Sequence, residues 1–141
     1  MIERKDFDLA AMDRWLTDNN VTEIECLVPD LTGVARGKIL PREKFSTERA
    51  MRLPEAVLGV TVTGESPEGH EGYDNVMGFT DKDMVLIPDP TTLRLVPWAV
   101  DPTAQVIMDC VGHDGRPIDF APRNVLRRVQ NLYKDLGLTP I

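Results

Sequence analysis

The sequence predicts an α+β fold in which helices pack on a mixed sheet, and three observations carry this prediction. Apolar residues recur at helical spacing near both ends of the chain, in segments 8–20 and 122–136. Between these segments, short apolar runs follow the two-residue period of strands. Clusters of Gly, Pro, Asn and Asp separate the runs, as turns require. The order of helix, hairpin, helix and several strands is typical of an α+β domain with one mixed sheet.

The first forty residues predict a helix followed by a hairpin. The helix spans residues 8–20, with Asp8 placed to cap its start. Residues 21–28 alternate as a strand does, and one face of that strand carries Ile24, Cys26 and Val28. Turn residues over 29–33 are followed by a second alternating run over 34–40. Two antiparallel strands are therefore expected here.

The middle of the chain predicts short elements and one long loop. Pro41 is well placed to open a short helix, and Ser46 to cap another over residues 47–53. Residues 56–62 form a third strand candidate. The segment 63–81 is polar, contains four glycines, and is too long for a plain turn. We therefore expect a substantial loop in that segment.

The last third predicts strands and a closing helix. Residues 84–87 and 92–96 predict two short strands, and residues 104–111 predict a third. A helix over 122–136 ends before Gly137, a residue suited to the position after a helix. Residues 138–141 resemble the start of another strand. One face of the helix carries an apolar stripe made of Val125, Leu126, Val129, Leu132, Tyr133 and Leu136.

Composition and charge limit the possible functions. A chain of 141 residues with 42% apolar and 28% charged residues suits one soluble domain with a real core. The net charge of −7 argues against nucleic acid and anionic membrane as partners. No stretch approaches the roughly 18 apolar residues of a membrane span. The amino terminus lacks an export signal, so the cytoplasm is the expected location.

The residue types that most often carry chemistry do not assemble into a complete active site. Cys26 and Cys110 lack metal-ligand spacing and are expected to be reduced and buried. His70 and His113 each lie in a Gly-rich turn and are expected to be solvated. Gly64 and Gly69 have the first spacing of a phosphate-binding loop, but His70 follows where a lysine is needed.

The cations of Arg36-Gly37-Lys38 admit two interpretations. Glycine inside a strand commonly marks an edge bulge, which would make the segment purely structural. Alternatively, the two cations reach a partner chain or a phosphate.

Four segments, taken in order, resemble the glutamine synthetase family, and the match covers nearly the whole chain. Alone each segment is only moderately specific, but the four in sequence are strongly so. They are Asp30-Leu31-Thr32-Gly33-Val34-Ala35-Arg36-Gly37-Lys38; Asp81-Lys82-Asp83-Met84-Val85-Leu86-Ile87-Pro88-Asp89-Pro90; Thr92-Leu93-Arg94-Leu95-Val96-Pro97-Trp98; and Gly115-Arg116-Pro117 with Ala121-Pro122-Arg123-Asn124-Val125-Leu126.

The resemblance implies a fold and a division into domains. Residues 1–118 would form the family's amino-terminal β-grasp domain. Residues 119–141 would form a linker and the first helix of a catalytic domain that is missing from this chain. The family's metal-binding glutamates begin on the strand that follows, so the chain alone is expected to be catalytically silent. No metal ligand and no bound cofactor are expected in it.

The resemblance also implies a reaction for the full-length parent. In this family ATP phosphorylates the side-chain carboxylate of glutamate, with Mg²⁺ or Mn²⁺ neutralising the developing charge, and an amine then attacks the acyl phosphate. The amino-terminal domain supplies one wall of a neighbouring subunit's active site in a homo-oligomeric ring. The expected partners are therefore the catalytic domain, neighbouring subunits, glutamate and an amine.

A loop of the family's active-site wall corresponds to Thr63, Gly64, Glu65 and Ser66. Threonine stands where ammonia-using members carry an aspartate, a feature similar to the γ-glutamyl-polyamine synthetase branch. Glu65, two positions after Thr63, could supply the carboxylate instead. The alternative to this ligase interpretation is a stand-alone β-grasp binding module without catalysis. A third hypothesis, a small complete enzyme built on residues 63–70, lacks a triad or metal cluster to support it.

Overall fold

The computed structural model describes residues 9–48, 51–67, 69–77 and 82–140. The elements, in chain order, are helix α1 (Leu9–Asp18), strands β1 (Glu23–Pro29) and β2 (Ala35–Pro41), helix α2 (Arg42–Glu48), strand β3 (Met51–Pro54), a 3₁₀ turn (Glu55–Gly59), helix α3 (Glu71–Met77), strands β4 (Asp83–Leu95) and β5 (Thr103–Val111), and helix α4 (Pro122–Asp135).

The strands form one mixed sheet, as the sequence predicts. Its order is β2-β1-β5-β4-β3. The central pair β1–β5 is parallel, and the other neighbouring pairs are antiparallel. Strand β5 lies in the middle and eight of its nine residues are buried. A mixed five-stranded sheet with packed helices is consistent with a β-grasp-like domain, so the predicted fold class is confirmed.

The helices α1 and α2 contribute to the same hydrophobic core as one face of the sheet. Met12 and Leu16 of α1 and Phe45 of α2 are buried. The sheet contributes the alternating residues that the sequence predicted for β1, together with further residues of the later strands. The buried strand residues in this core are Ile24, Cys26, Val28, Met51, Leu53, Met84, Leu86, Ala104, Val106, Met108 and Cys110.

The hairpin β1–β2 forms as predicted, but without the edge bulge proposed at Arg36-Gly37-Lys38. Pairing runs without interruption from Glu23 opposite Pro41 to Pro29 opposite Ala35. Glycine is required at position 37 for a different reason. A Cβ atom added there would overlap the backbone carbonyl oxygen of Cys26 on the adjacent strand. The glycine therefore permits close approach of the two strands rather than a local break.

Three predictions for the middle of the chain are wrong. The segment 63–81, predicted as a loop, contains helix α3 (Glu71–Met77). Ser46 does not cap a second helix, because α2 continues past it and its hydroxyl instead donates to the Asp13 carboxylate at 2.9 Å. Residues 51–53 of that predicted helix belong to β3. No strand forms over 56–62, because residues 56–59 belong to the 3₁₀ turn, in which only Leu58 is buried, and residues 60–62 are irregular. Short apolar runs cannot be assigned to strand or helix by periodicity alone.

The two short strands predicted before and after Pro88-Asp89-Pro90 are one irregular strand, β4. Its register against β5 shifts between Asp89 and Arg94. Side chains replace the missing ladder bonds there. The Thr92 hydroxyl accepts from the backbone N–H of Ile107 at 2.9 Å and donates to the carbonyl of Asp89 at 2.7 Å. The proline pair therefore produces a bulge instead of a chain break.

The amino-terminal half of α4 packs on the sheet and its other half is exposed. Ala121 and Asn124 are buried, and the Asn124 amide donates to the carbonyls of Cys110 at 2.8 Å and Ile118 at 2.9 Å. All six residues of the apolar stripe are exposed, by 38% at Val125 to 75% at Leu136. The helix ends at Asp135, and Gly137, predicted to lie just past the end, has a φ of 72°. The strand predicted over 138–141 is absent from the described residues 138–140.

We predict that Gly37→Ala destabilises the chain by at least about 2 kcal/mol, because the new methyl group forces apart two paired backbones. Gly72→Ala is the matched control, since a Cβ atom there meets nothing within 4 Å and the residue lies in a helix. Urea denaturation measures both free energies of unfolding. Equal stability of the two variants would contradict the predicted close approach.

Candidate functional site

The predicted site residues lie in a compact loop, residues 61–66, that begins after the 3₁₀ turn. The N–H of Thr61 donates to the carbonyl of Glu65 at 2.9 Å, and the N–H of Gly64 donates to the carbonyl of Thr61 at 2.8 Å. Gly64 has a φ of 87°, a conformation that glycine adopts without steric cost. The loop is therefore closed by its own backbone, and Thr61 is the residue through which it closes.

Hydroxyl groups and one carboxylate meet on this loop. The Thr63 hydroxyl lies 3.0 Å from the Thr61 hydroxyl and donates to the Glu65 carboxylate at 3.3 Å. The N–H of Glu65 donates to the Thr61 hydroxyl at 3.0 Å. Ser66 points to a different neighbour, because its hydroxyl donates to the Tyr73 hydroxyl of α3 at 3.1 Å. The structure thus brings together Thr63 and Glu65, and adds Thr61, which the sequence did not single out.

Arg36 connects this loop to the turn of the β1–β2 hairpin. Its Nε donates to the carboxylate of Asp30 at 2.8 Å, and its Nη2 donates to the carbonyl of Thr61 at 2.8 Å. Lys38 makes a similar contact, because its Nζ lies 3.3 Å from the carbonyl of Arg52. Both cations of the Arg36-Gly37-Lys38 segment therefore bind backbone carbonyls of their own chain.

Asp30 is the buried acceptor at the centre of this arrangement. One carboxylate oxygen accepts from the N–H and the hydroxyl of Thr32, at 2.9 and 2.7 Å, and from the N–H of Val34 at 2.9 Å. The other oxygen is paired with Arg36. Burial by itself raises the pKa of Asp30, but the hydrogen bonds from Arg36, Thr32 and Val34 outweigh it, so the pKa is lowered. The carboxylate therefore stays ionised and organises the turn.

The exposed groups of the 61–66 loop can accept hydrogen bonds from a cation but cannot hold one tightly alone. Thr63, Glu65 and Ser66 are all exposed. An ion pair in full contact with water contributes roughly 0–1 kcal/mol, because solvent screens the charge. Stronger binding requires a second surface that excludes water from Glu65. By themselves, these exposed groups therefore do not form a tight cation site.

The other candidate groups fulfil structural roles. Cys26 and Cys110 are buried free thiols, as predicted, and burial raises the pKa of each to about 12. His113 is exposed, as predicted. His70 is exposed too, and its backbone carbonyl accepts from the N–H groups of Tyr73 and Asp74 at the start of α3. Gly64 belongs to the 61–66 loop and Gly69 precedes α3, and His70 and Glu71 stand where a phosphate-binding loop needs lysine and a hydroxyl residue.

Within the described residues, no group of three or more His, Cys, Asp or Glu side chains could hold a metal ion. In the same part of the chain, none of the helices has the length and apolar character needed to cross a membrane.

Known proteins resemble this chain over most of its length. It is 33% identical to a glutamate–isopropylamine ligase of a Pseudomonas species over 87% of the chain. It is 32% identical to the γ-glutamylputrescine synthetase of Escherichia coli K12 over 86% of the chain. It is 29% identical to a type-1 glutamine synthetase of Dictyostelium discoideum over 71% of the chain. The chain spans 27%, 25% and 19% of the length of these relatives. No protein-family model matches it.

We predict that Asp30→Asn destabilises the chain by on the order of 2 kcal/mol at pH 7, because Arg36 loses its buried counter-charge. The cost must shrink on acidification. The folded-state pKa of Asp30 is lowered, so its ionised contacts stabilise the fold above the unfolded pKa of about 3.9 and are lost as pH falls through the folded value. Urea denaturation at pH 7 and pH 3 measures the difference.

Asp119→Asn is the matched control for this prediction, because the Asp119 side chain is 95% exposed. It should change stability little at either pH. An Asp30→Asn penalty that is equal at pH 7 and pH 3 would show that the charge of Asp30 contributes nothing.

Proposed function

We propose that this chain, which is homologous over most of its length to members of the glutamine synthetase family, is the amino-terminal domain of a glutamate–amine ligase. The observation that carries the proposal is the alignment of 86–87% of the chain with two relatives whose names give amine substrates. In the proposed role, the domain forms one wall of an active site that a neighbouring subunit completes.

The geometry of the 61–66 loop supports this role. The loop is compact, and Arg36 donates a hydrogen bond to its Thr61 carbonyl, while its hydroxyls and the Glu65 carboxylate are exposed. An exposed cluster of acceptors suits the amine side of such a reaction, because a protonated amine or an ammonium ion presents N–H donors and no acceptor. We assign Thr63, Gly64, Glu65 and Ser66 to this substrate-binding wall.

The remaining chemistry of the proposed reaction lies outside the residues described. ATP would phosphorylate the glutamate side chain, with Mg²⁺ or Mn²⁺ neutralising charge, and the amine would displace phosphate. Since the described residues hold no metal-ligand cluster, we assign none of them to the nucleotide or the metal. The contribution of this domain is to position the amine and to exclude water around it.

The composition of the loop favours a substituted amine over ammonium. Thr63 carries no charge, so it cannot provide the close ionic contact that a small, strongly hydrated ammonium ion needs. Glu65 carries the charge two residues further along and accepts a hydrogen bond from Thr63 at 3.3 Å. A larger amine, with an alkyl group to bury, gains binding free energy that ammonium lacks. We therefore propose a primary alkylamine or polyamine as substrate.

We predict that an enzyme made by joining this chain to the remaining part of the E. coli γ-glutamylputrescine synthetase prefers putrescine or isopropylamine to ammonium. Glu65→Gln should lower kcat/KM for the amine by roughly tenfold or more, since a charged hydrogen bond contributes about 1.5–3 kcal/mol. Amine-dependent phosphate release measures both effects. The chain alone should release no phosphate with ATP, glutamate and any amine.

Glu43→Gln is the control, because Glu43 is exposed on α2, outside the loop. A joined enzyme that prefers ammonium would refute the proposed substrate class. Phosphate release by the chain alone, abolished by Thr63 or Glu65 substitution, would instead refute the assignment as a non-catalytic domain. Stable binding of another ligand without any turnover in the joined enzyme would favour the stand-alone binding module.

The proposed partners are the catalytic domain and neighbouring copies in a homo-oligomeric ring. The apolar stripe of α4 supports such a partner, because all six of its residues are exposed. Each aliphatic side chain of this size gains roughly 1.5–3 kcal/mol on burial. In the absence of a catalytic domain, the stripe is available to a second copy of the chain.

We predict that the chain alone associates weakly, in a concentration-dependent manner, through this stripe. Sedimentation velocity over a range of concentrations measures the association. Leu126→Glu with Leu132→Glu should make the chain monomeric, because charges placed in the stripe oppose its burial. Truncation after Ile118 should have the same effect. An intact chain that stays monomeric at every concentration would contradict the prediction.

A further inference from the structure

Two aspartates of the sheet and two arginines of α4 form a cluster that the sequence analysis did not anticipate. Arg123 donates to Asp109 at 3.0 Å and also pairs with Asp89. Arg127 lies 2.5 Å from the Asp109 carboxylate and 3.2 Å from that of Asp89. Each arginine therefore contacts both aspartates, and each aspartate contacts both arginines.

The cluster is largely removed from solvent. The exposed fractions of the side chains are 4% for Asp109, 14% for Asp89, 22% for Arg123 and 33% for Arg127. Burial by itself raises the pKa of Asp89, but the hydrogen bonds from Thr91 and the charges of the two guanidinium groups outweigh it, so the pKa is lowered. Charge-assisted contacts of this kind are short and directional, so they constrain geometry more than apolar contacts do.

The placement of the four residues fixes the direction of a helix. Asp89 lies on β4 and Asp109 on β5, two strands that are paired in the sheet. Arg123 and Arg127 are one helical turn apart and lie on one side of α4. Two points on the sheet are thus joined to two points along the helix axis. A single contact would permit α4 to swing, whereas this arrangement opposes it.

Asn124 adds a constraint on rotation about the helix axis. Its amide donates to the carbonyl of Cys110 on β5 and to that of Ile118 before the helix. Because residues 123, 124 and 127 are held against the sheet, the apolar stripe is directed away from it. The residues from Leu132 to Leu136 are all exposed, so the cluster and Asn124 carry the attachment at one end of the helix.

We propose that Asp89, Asp109, Arg123 and Arg127 form a latch that sets the angle at which α4 leaves the sheet. The latch positions the apolar stripe of α4 relative to the hairpin and the 61–66 loop. Its members are positioning residues, since their effect on any partner acts through the helix. This inference depends on the contacts of this chain alone and is independent of the proposed ligase activity.

A pair of spin labels tests the latch directly. The labels are attached at Leu31→Cys, in the exposed hairpin turn, and at Asp135→Cys, near the end of α4. Cys26 and Cys110 remain unlabelled in the folded chain because they are buried and their thiol pKa is raised to about 12. Pulsed electron–electron double resonance then gives the distribution of distances between the two labels.

We expect a narrow distribution in the labelled chain and at least a twofold broader one in Arg123→Met/Arg127→Met. Methionine keeps most of the aliphatic stem but removes the charge. Asp89→Asn/Asp109→Asn should broaden the distribution similarly from the sheet side. Arg128→Met is the matched control, because Arg128 lies on the same helix and pairs with the exposed Asp119. It should leave the distribution narrow.

Amide hydrogen exchange of β5 in the same samples distinguishes a latch from a general stabilising element. The proposal requires β5 to stay protected while the distance distribution broadens. Distributions that stay narrow in both double variants would overturn it. Loss of β5 protection together with broadening would overturn it as well, since the cluster would then hold the sheet together rather than orient α4.

Discussion

The ionised carboxylate of Asp30 is the interaction on which the arrangement of the candidate site depends. It is almost fully buried, yet every one of its contacts is a donor: the backbone of Thr32 and Val34, the Thr32 hydroxyl and the Arg36 guanidinium. A buried charge is tolerated only when it is paired and hydrogen-bonded, so the turn must adopt this one conformation. Arg36 then carries the constraint to Thr61, through which the 61–66 loop closes. The conformation of an exposed loop is thus linked by hydrogen bonds to a buried group of a different segment.

The parallel pairing of β1 and β5 determines what lies near that loop. The register places Leu27 opposite Ile107, so the chain leaves β1 toward Asp30 at the end of the sheet where β5 reaches Asp109. The Asp30 turn and the attachment of α4 therefore occur at the same end of the sheet. If β1 and β5 were antiparallel, the Asp30 turn and the attachment of α4 would lie at opposite ends of these strands. Both exposed features of this domain, the polar loop and the apolar helix face, follow from one choice of strand direction.

The sequence predicts the fold better than it predicts the site, and the difference has a physical cause. Alternation in β1 and the stripe of α4 are properties of single segments, so both are visible in sequence. The strand predicted over 56–62 fails because a run with one buried residue, Leu58, has no usable period. The roles of Arg36, Thr61 and the four latch residues depend on contacts between segments. Spacing within a segment cannot reveal the partners in such contacts. The spacing of Arg123 and Arg127, four residues apart on a helix, does indicate that the two side chains share one face.

Neither exposed feature is complete by itself, for opposite physical reasons. Glu65 is solvated, so water competes with any cation that it binds, and its charge becomes effective only when another surface displaces that water. The stripe of α4 is uncharged, and its apolar surface stabilises an assembly only when a partner buries it. A partner that covered the stripe would be held at an angle fixed by the helix, on the end of the sheet that also carries the loop. In the proposed role, burial of the apolar face can therefore supply the free energy that brings a second surface against the 61–66 loop, which the solvent-screened charge of Glu65 could not supply alone.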